Sequence, residues 1–87
     1  MKTNQKYSDM ASNPTELVRY LATSLVDNPD DVVVETHDGE EGLVITVTTH
    51  PDEVGKVIGR GGRTIKSIRT LARAIAGQGG CQVEVNN

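Results

Sequence analysis

An α+β fold with the element order αββααβ is what this chain predicts, and three observations predict it. Apolar residues recur at helical spacing in three stretches, around 17–25, 54–58 and 65–75, and alternate with polar ones in three others, 32–37, 43–49 and 81–85. Each change of period falls on a cluster of Gly, Pro, Asn or Asp, the residues that punctuate elements. Eighty-seven residues suffice for one small domain, and with no Trp or Phe its core must be built from Val, Ile and Leu.

Residues 1–12 show no apolar period and are expected to be a disordered tail, leaving 13–87 as the domain. Asn13-Pro14-Thr15-Glu16 is a helix start, with Asn at the N-cap, Pro at the first helical position and Glu placed for a capping box. Leu17, Val18, Leu21, Ala22 and Leu25 follow on one face; Tyr20 flanks it, either packing against it or stacking on a base. Asp27-Asn28-Pro29-Asp30 stops this helix, because Pro disfavours helical geometry in the residue before it.

A strand follows in which Val32, Val34 and Thr36 alternate with Val33, Glu35 and His37, and Asp38-Gly39-Glu40-Glu41-Gly42 has hairpin composition. In the second strand Leu43, Ile45, Val47 and Thr49 should face the helices. His50-Pro51-Asp52-Glu53 opens a short helix carrying Val54, Val57 and Ile58 on one face. A longer amphipathic helix then sets Ile65, Ile68, Leu71, Ala72 and Ile75 against a polar face of Arg63, Lys66, Ser67, Thr70 and Arg73. Gly77 ends it, a glycine-rich link runs to Gly80, and Cys81, Val83 and Val85 alternate with Gln82 and Glu84 in a third strand.

The informative stretch joins the two later helices: Val57-Ile58-Gly59-Arg60-Gly61-Gly62-Arg63-Thr64-Ile65. Three glycines in four positions permit positive φ and remove the Cβ atoms that would hold a ligand's backbone away. Amides and dipole at the start of the second helix favour an anion, and Arg60 and Arg63 bring full charges to the same place. Phosphate is the natural anion, and Gly59-Arg60-Gly61-Gly62 matches the GXXG loop that clamps about four nucleotides of a single strand. A glycine corner between helices also occurs with no ligand. The isoleucine three residues past the loop, the paired helices and the local charge favour nucleic acid. A Walker loop ending at Gly62 would need glycine at Val57 and lysine at Arg63, and a dinucleotide fingerprint from Gly59 would need glycine at Thr64.

Charge distribution agrees with an anionic partner although the net charge is −3. Residues 1–53 carry three basic and eleven acidic side chains, whereas 54–83 carry six basic and none acidic. The scarcity of aromatics argues against single-strand binders that stack bases on aromatic platforms. A lone Cys81 excludes an intrachain disulfide, and no stretch is long and apolar enough for a signal core or membrane span, so a cytoplasmic protein is expected. No cofactor, metal or catalytic group is expected: His37 and His50 lie on strand exteriors or ends, and Asp38, Glu40 and Glu41 lack the ligand spacing of a calcium loop.

With the glycine loop between paired helices and nothing after the third strand, the chain resembles a type II KH domain. More closely, over residues 13–87, it resembles the small stand-alone bacterial KH proteins of the KhpA-like family. The likeness rests on Val26-Asp27-Asn28-Pro29 and on the run from Pro51 through Arg69, centred on Val-Ile-Gly-Arg-Gly-Gly-Arg-Thr-Ile. It implies a three-stranded mixed sheet of order 1-2-3, strands 2 and 3 parallel, with all helices on one face. It also implies single-stranded RNA binding, service as an RNA chaperone or post-transcriptional regulator, and a homodimer or a heterodimer with a second KH protein, with no membrane involved. Gly59, Arg60, Gly61 and Gly62 carry over as the phosphate clamp, with Lys56, Arg63 and Lys66 as charge support. Ile58 and Ile65 carry over as floor of the groove or as core. The rival reading is a protein-interaction module that docks its basic helix on an acidic partner.

Overall fold

The computed structural model describes residues 13–86, so the tail expected over 1–12 lies outside the described residues. The elements are α1 (Pro14–Leu25), β1 (Val33–Gly39), β2 (Gly42–Thr48), α2 (Val54–Ile58), α3 (Arg63–Ala76) and β3 (Cys81–Asn86). Their order is the expected αββααβ. Short 3-10 turns at Pro29–Asp31, Pro51–Glu53, Arg60–Gly62 and Gly77–Gly79 fill the connections.

α1 starts where the sequence signals it. The Asn13 side chain accepts from the Thr15 and Glu16 amides at 2.9 and 3.3 Å, satisfying two donors that the first turn leaves open. The Glu16 carboxylate accepts from Arg19, one turn on. Val18 and Ala22 are buried, whereas Leu25, assigned to the same face, is exposed as the helix ends and Val26 is buried in its place.

β1 and β2 form an antiparallel hairpin with Val33 opposite Thr48 and Gly39 opposite Gly42, and β2 pairs in parallel with β3, Leu43 beside Cys81 and Thr48 beside Asn86. The sheet order is β1-β2-β3. Pairing runs through Gly39, so the connection is the two residues Glu40-Glu41 rather than the whole of Asp38–Gly42. Neither glutamate has positive φ; Gly42, at φ 120°, turns the chain instead.

Strand alternation decides which face the helices cover. Val34, Leu43, Ile45, Val47, Cys81, Val83 and Val85 point into one apolar cluster with Val18, Ala22, Val57, Ile65, Ile68 and Ala72 of the three helices. On the other face Val33, Glu35, His37, Gln82 and Glu84 are exposed. Among the described residues the architecture is therefore one helical layer on one sheet face, and Ile45, Val18, Val47 and Val57 lie at its centre. Full burial of each such side chain contributes about 2 kcal/mol. Leu71 departs from its expected place: it is 49% exposed on α3, because the core-facing arc there is centred on Ile65, Ile68 and Ala72.

The hairpin end packs against the glycine link. A Cβ on Gly42 would lie 2.5 Å from the Gly79 carbonyl oxygen and 2.9 Å from that of Gly80. Gly42→Ala is therefore expected to cost about 2 kcal/mol, from overpacking and a left-handed φ together. Gly55→Ala, inside α2 with nothing near the added methyl, should instead gain about 0.5–1 kcal/mol from helix propensity. Urea denaturation midpoints check both signs; an unshifted midpoint for Gly42→Ala would mean that the link does not close on the hairpin.

Candidate nucleic-acid interface

The glycine loop is held at both ends by its own backbone. Gly59 donates to the Gly55 carbonyl at 2.8 Å, closing α2, and Gly62 donates to the Gly59 carbonyl at 3.0 Å. Its glycines are required for different reasons. At Gly59, φ is 78° and a Cβ would collide with Thr64, coming within 2.7 Å of that residue's Cβ. Gly61 and Gly62 also have left-handed φ, 64° and 76°, but nothing lies near the missing side chains. Close packing of α2 on α3 excludes a side chain at the first position, while the third and fourth leave bare backbone facing outward.

Gly62 is the N-cap of α3 and supplies no side chain to its amides. The Arg63 amide donates to the Arg60 carbonyl, and no side chain caps the other amides of this first turn. Arg60, Arg63 and Lys66 are exposed, and among the described residues no carboxylate lies within salt-bridge distance of them or of Arg73. Arg69 differs: its Nε donates to the Val83 carbonyl at 3.0 Å, tying α3 to β3. Ile65 is buried in the core, and Ile58 is partly buried at its margin.

Lys56, carried over as charge support beside the loop, is engaged with two carboxylates. Its Nζ lies 2.6 Å from Asp27 Oδ2 and 3.4 Å from Glu53 Oε2, which raises its pKa chiefly through the Asp27 bond. Glu53 is the residue that sequence reasoning missed. It reads as an acid in the first turn of a helix, yet it is 4% exposed. Its carboxylate accepts from the Asp27 amide, from the Asn28 amide at 3.0 Å and from Asn28 Nδ2 at 2.8 Å. These bonds, the Asp27 amide foremost, hold its pKa down at about 2. Local sequence carries only the Lys at i+3 as a hint; the partners lie 25 and 26 residues earlier. His50 was likewise read as a strand end, and its Nδ1 accepts from the Asp52 amide at 3.1 Å, capping the turn that opens α2.

Elsewhere the chemistry is sparse. Cys81 is buried, and burial pushes its thiol up, away from the nucleophilic thiolate. Among the described residues no group of three or more His, Cys, Asp or Glu is placed to hold a metal, and no helix is long and apolar enough to cross a membrane. An open depression of about 400 Å³ between the hairpin and the glycine link contains one ionisable side chain, Asp38, and none of the loop residues.

Against known proteins, a profile described as KhpA/KhpB, KH domain matches residues 15–86. This chain belongs to the KhpA/KhpB family of KH domains. It is 48% identical over 64 residues to the RNA-binding protein KhpA of Streptomyces coelicolor, covering 74% of this chain and 81% of that one. With the protein of the same name from Mycobacterium tuberculosis it shares 46% over 70 residues, 80% and 88% of the two chains. The Halalkalibacterium halodurans protein is 50% identical over 60 residues, 69% and 79%. Among solved structures, Era in complex with MgGDPNP and a segment of 16S ribosomal RNA aligns with a TM-score of 0.57 at 22% identity, over 87% of this chain and 30% of Era. That likeness concerns the fold alone, and it accords with the type II KH topology described above.

The Glu53 site gives this KH domain an acid-sensitive element. A carboxyl near 4.5 when unfolded and about 2 when folded contributes stability fully above pH 4.5, and the contribution is lost as pH falls toward 2. Melting temperature should fall through that window in the wild type and fall less in Glu53→Gln, whose melting point is lower at pH 7. Parallel melting curves for the two proteins across pH 2–7 would contradict the assignment.

Proposed function

We propose that residues 13–87 bind single-stranded RNA, with Gly59-Arg60-Gly61-Gly62 as the phosphate clamp and Arg63 and Lys66 as the adjoining charges. One observation carries it: a loop of bare left-handed glycine backbone opens onto the uncapped start of α3, where three exposed cations have no carboxylate partner among the described residues. The name RNA-binding protein KhpA on relatives that match most of the chain supports the same reading. Lys56 contributes less charge than its position suggests, since Asp27 and Glu53 already hold it. Ile65 serves the core, and Ile58, at the core's margin, is the candidate for the groove floor.

The proposed role is that of an RNA chaperone or post-transcriptional regulator in the cytoplasm. A clamp on about four nucleotides with no aromatic platform gives weak, sequence-tolerant binding. Tight binding then requires a second KH unit, in a homodimer or with another KH protein, through effective concentration rather than new contacts. A monomeric preparation with nanomolar affinity for one short RNA would refute this.

Arg60→Glu combined with Arg63→Glu is the direct test. Both side chains are exposed, and a glutamate at the first position of α3 suits the helix dipole, so the fold should melt within about 0.5 kcal/mol of the wild type. Affinity for single-stranded RNA should fall at least about tenfold, two reversed charges acting on the phosphate path. Three contacted phosphates imply a wild-type log–log salt slope of about −2. Native-like melting with unchanged affinity would overturn the reading. A flat salt response with retention of an acidic protein partner would favour the docking-module alternative.

A further inference from the structure

We propose that Glu53 is a positioning residue for the glycine loop: its carboxylate, seated on the Asp27–Asn28 turn, fixes the direction of α2 and therefore the presentation of Gly59–Gly62. α2 is five residues long, and an isolated helix of that length does not hold its own direction in water. Besides the exposed Lys56–Asp27 pair and the partly buried Ile58, three attachments locate it. Val57 is buried in the core, Gly59 packs against Thr64, and Glu53 joins the N-terminal end to a turn that precedes it by 25 residues. Three donors converge on that carboxylate and Lys56 closes over it, so the attachment has a set geometry and not merely a set distance.

Charge and position predict opposite outcomes here. Neutralising Glu53 makes the surroundings of the loop more positive, which by electrostatics alone would tighten RNA binding. Loss of positioning weakens it, because the clamp must then be ordered when RNA binds. The RNA arm of the test rests on the proposed function; the exchange arm does not.

The experiment uses the full chain as wild type, Glu53→Gln and Arg60→Glu/Arg63→Glu. It measures amide hydrogen exchange without RNA, and oligouridylate affinity against salt, both well below the melting midpoint. Glutamine keeps the shape but turns an NH2 group toward donors. Expected for Glu53→Gln are exchange at Gly59 and Gly62 accelerated by a larger factor than at Ile45, whose amide reports the global loss of stability, and RNA binding weaker by about fivefold with the salt slope retained. Unchanged glycine exchange, or unchanged or tighter RNA binding, overturns the proposal. If wild-type protein binds no oligouridylate, or the double arginine variant binds as wild type, the proposed function fails and the exchange comparison alone decides for Glu53. If Glu53→Gln does not fold, Asn28→Ala, which removes only the Nδ2 donor, takes its place: faster exchange at the same glycines supports positioning, and unchanged exchange refutes it.

Discussion

One carboxylate joins two turns that lie 25 residues apart in the chain. Glu53 belongs to the turn that opens α2, and its hydrogen-bond donors belong to the turn that closes α1. A buried charge is tolerable only when its lone pairs are occupied, and here three donors and an ammonium occupy them. The arrangement therefore specifies geometry, since displacement of either turn would strand the charge away from water. With one end of α2 held this way and the other packed through Gly59, the start of the glycine loop is fixed against α3 while Gly61 and Gly62 stay open.

This shows why the fold was legible and part of the site was not. Every helix and strand carries its own period, and every junction its own Pro, Gly or Asn, so the element order could be taken from local pattern. The errors are local too. Leu25 and Leu71 lie at helical spacing from core residues yet face outward, because spacing defines an arc and only the neighbours decide where the arc stops. The five-residue hairpin expected from composition proved to be two residues, since glycines at both ends continued the pairing. The pairing of Glu53 and Lys56 with the Asp27–Asn28 turn was missed for a different reason. Apart from each other, their partners lie on that turn more than two dozen residues away, and no short window of sequence contains both sides of that contact.

The charge segregation also reads differently once the contacts are known. Six cations follow residue 53, but Lys56 is paired with Asp27 and Glu53, and Arg69, which keeps its charge, is held toward β3 by its bond to the Val83 carbonyl. The open positive charge is thus narrower than the sequence count, concentrated on Arg60, Arg63 and Lys66 with Arg73 further along α3. The surrounding surface is acidic, with Asp30, Asp31, Glu35, Asp38, Glu40, Glu41, Asp52 and Glu84 all exposed. On the proposed reading, a polyanion approaching the acidic faces of the described residues meets repulsion, so the acidic majority would direct an RNA toward the loop even though it lowers the net attraction.

That economy has a consequence for specificity on the proposed reading. Bare glycine amides and arginines recognise phosphate, which every nucleotide carries, and a floor made of Ile58 recognises only the apolar face of a base. Discrimination between bases requires hydrogen-bond donors and acceptors aimed at base edges, and the residues around this loop offer few. Selectivity for particular RNAs must then arise from how several clamps are spaced along one strand, because spacing can be read where individual bases are not. A domain of this kind gains from a rigidly presented loop, since two clamps act together only when neither has to be ordered first. On that reading the buried carboxylate that holds α2 and the glycine loop that follows α2 would act as one device.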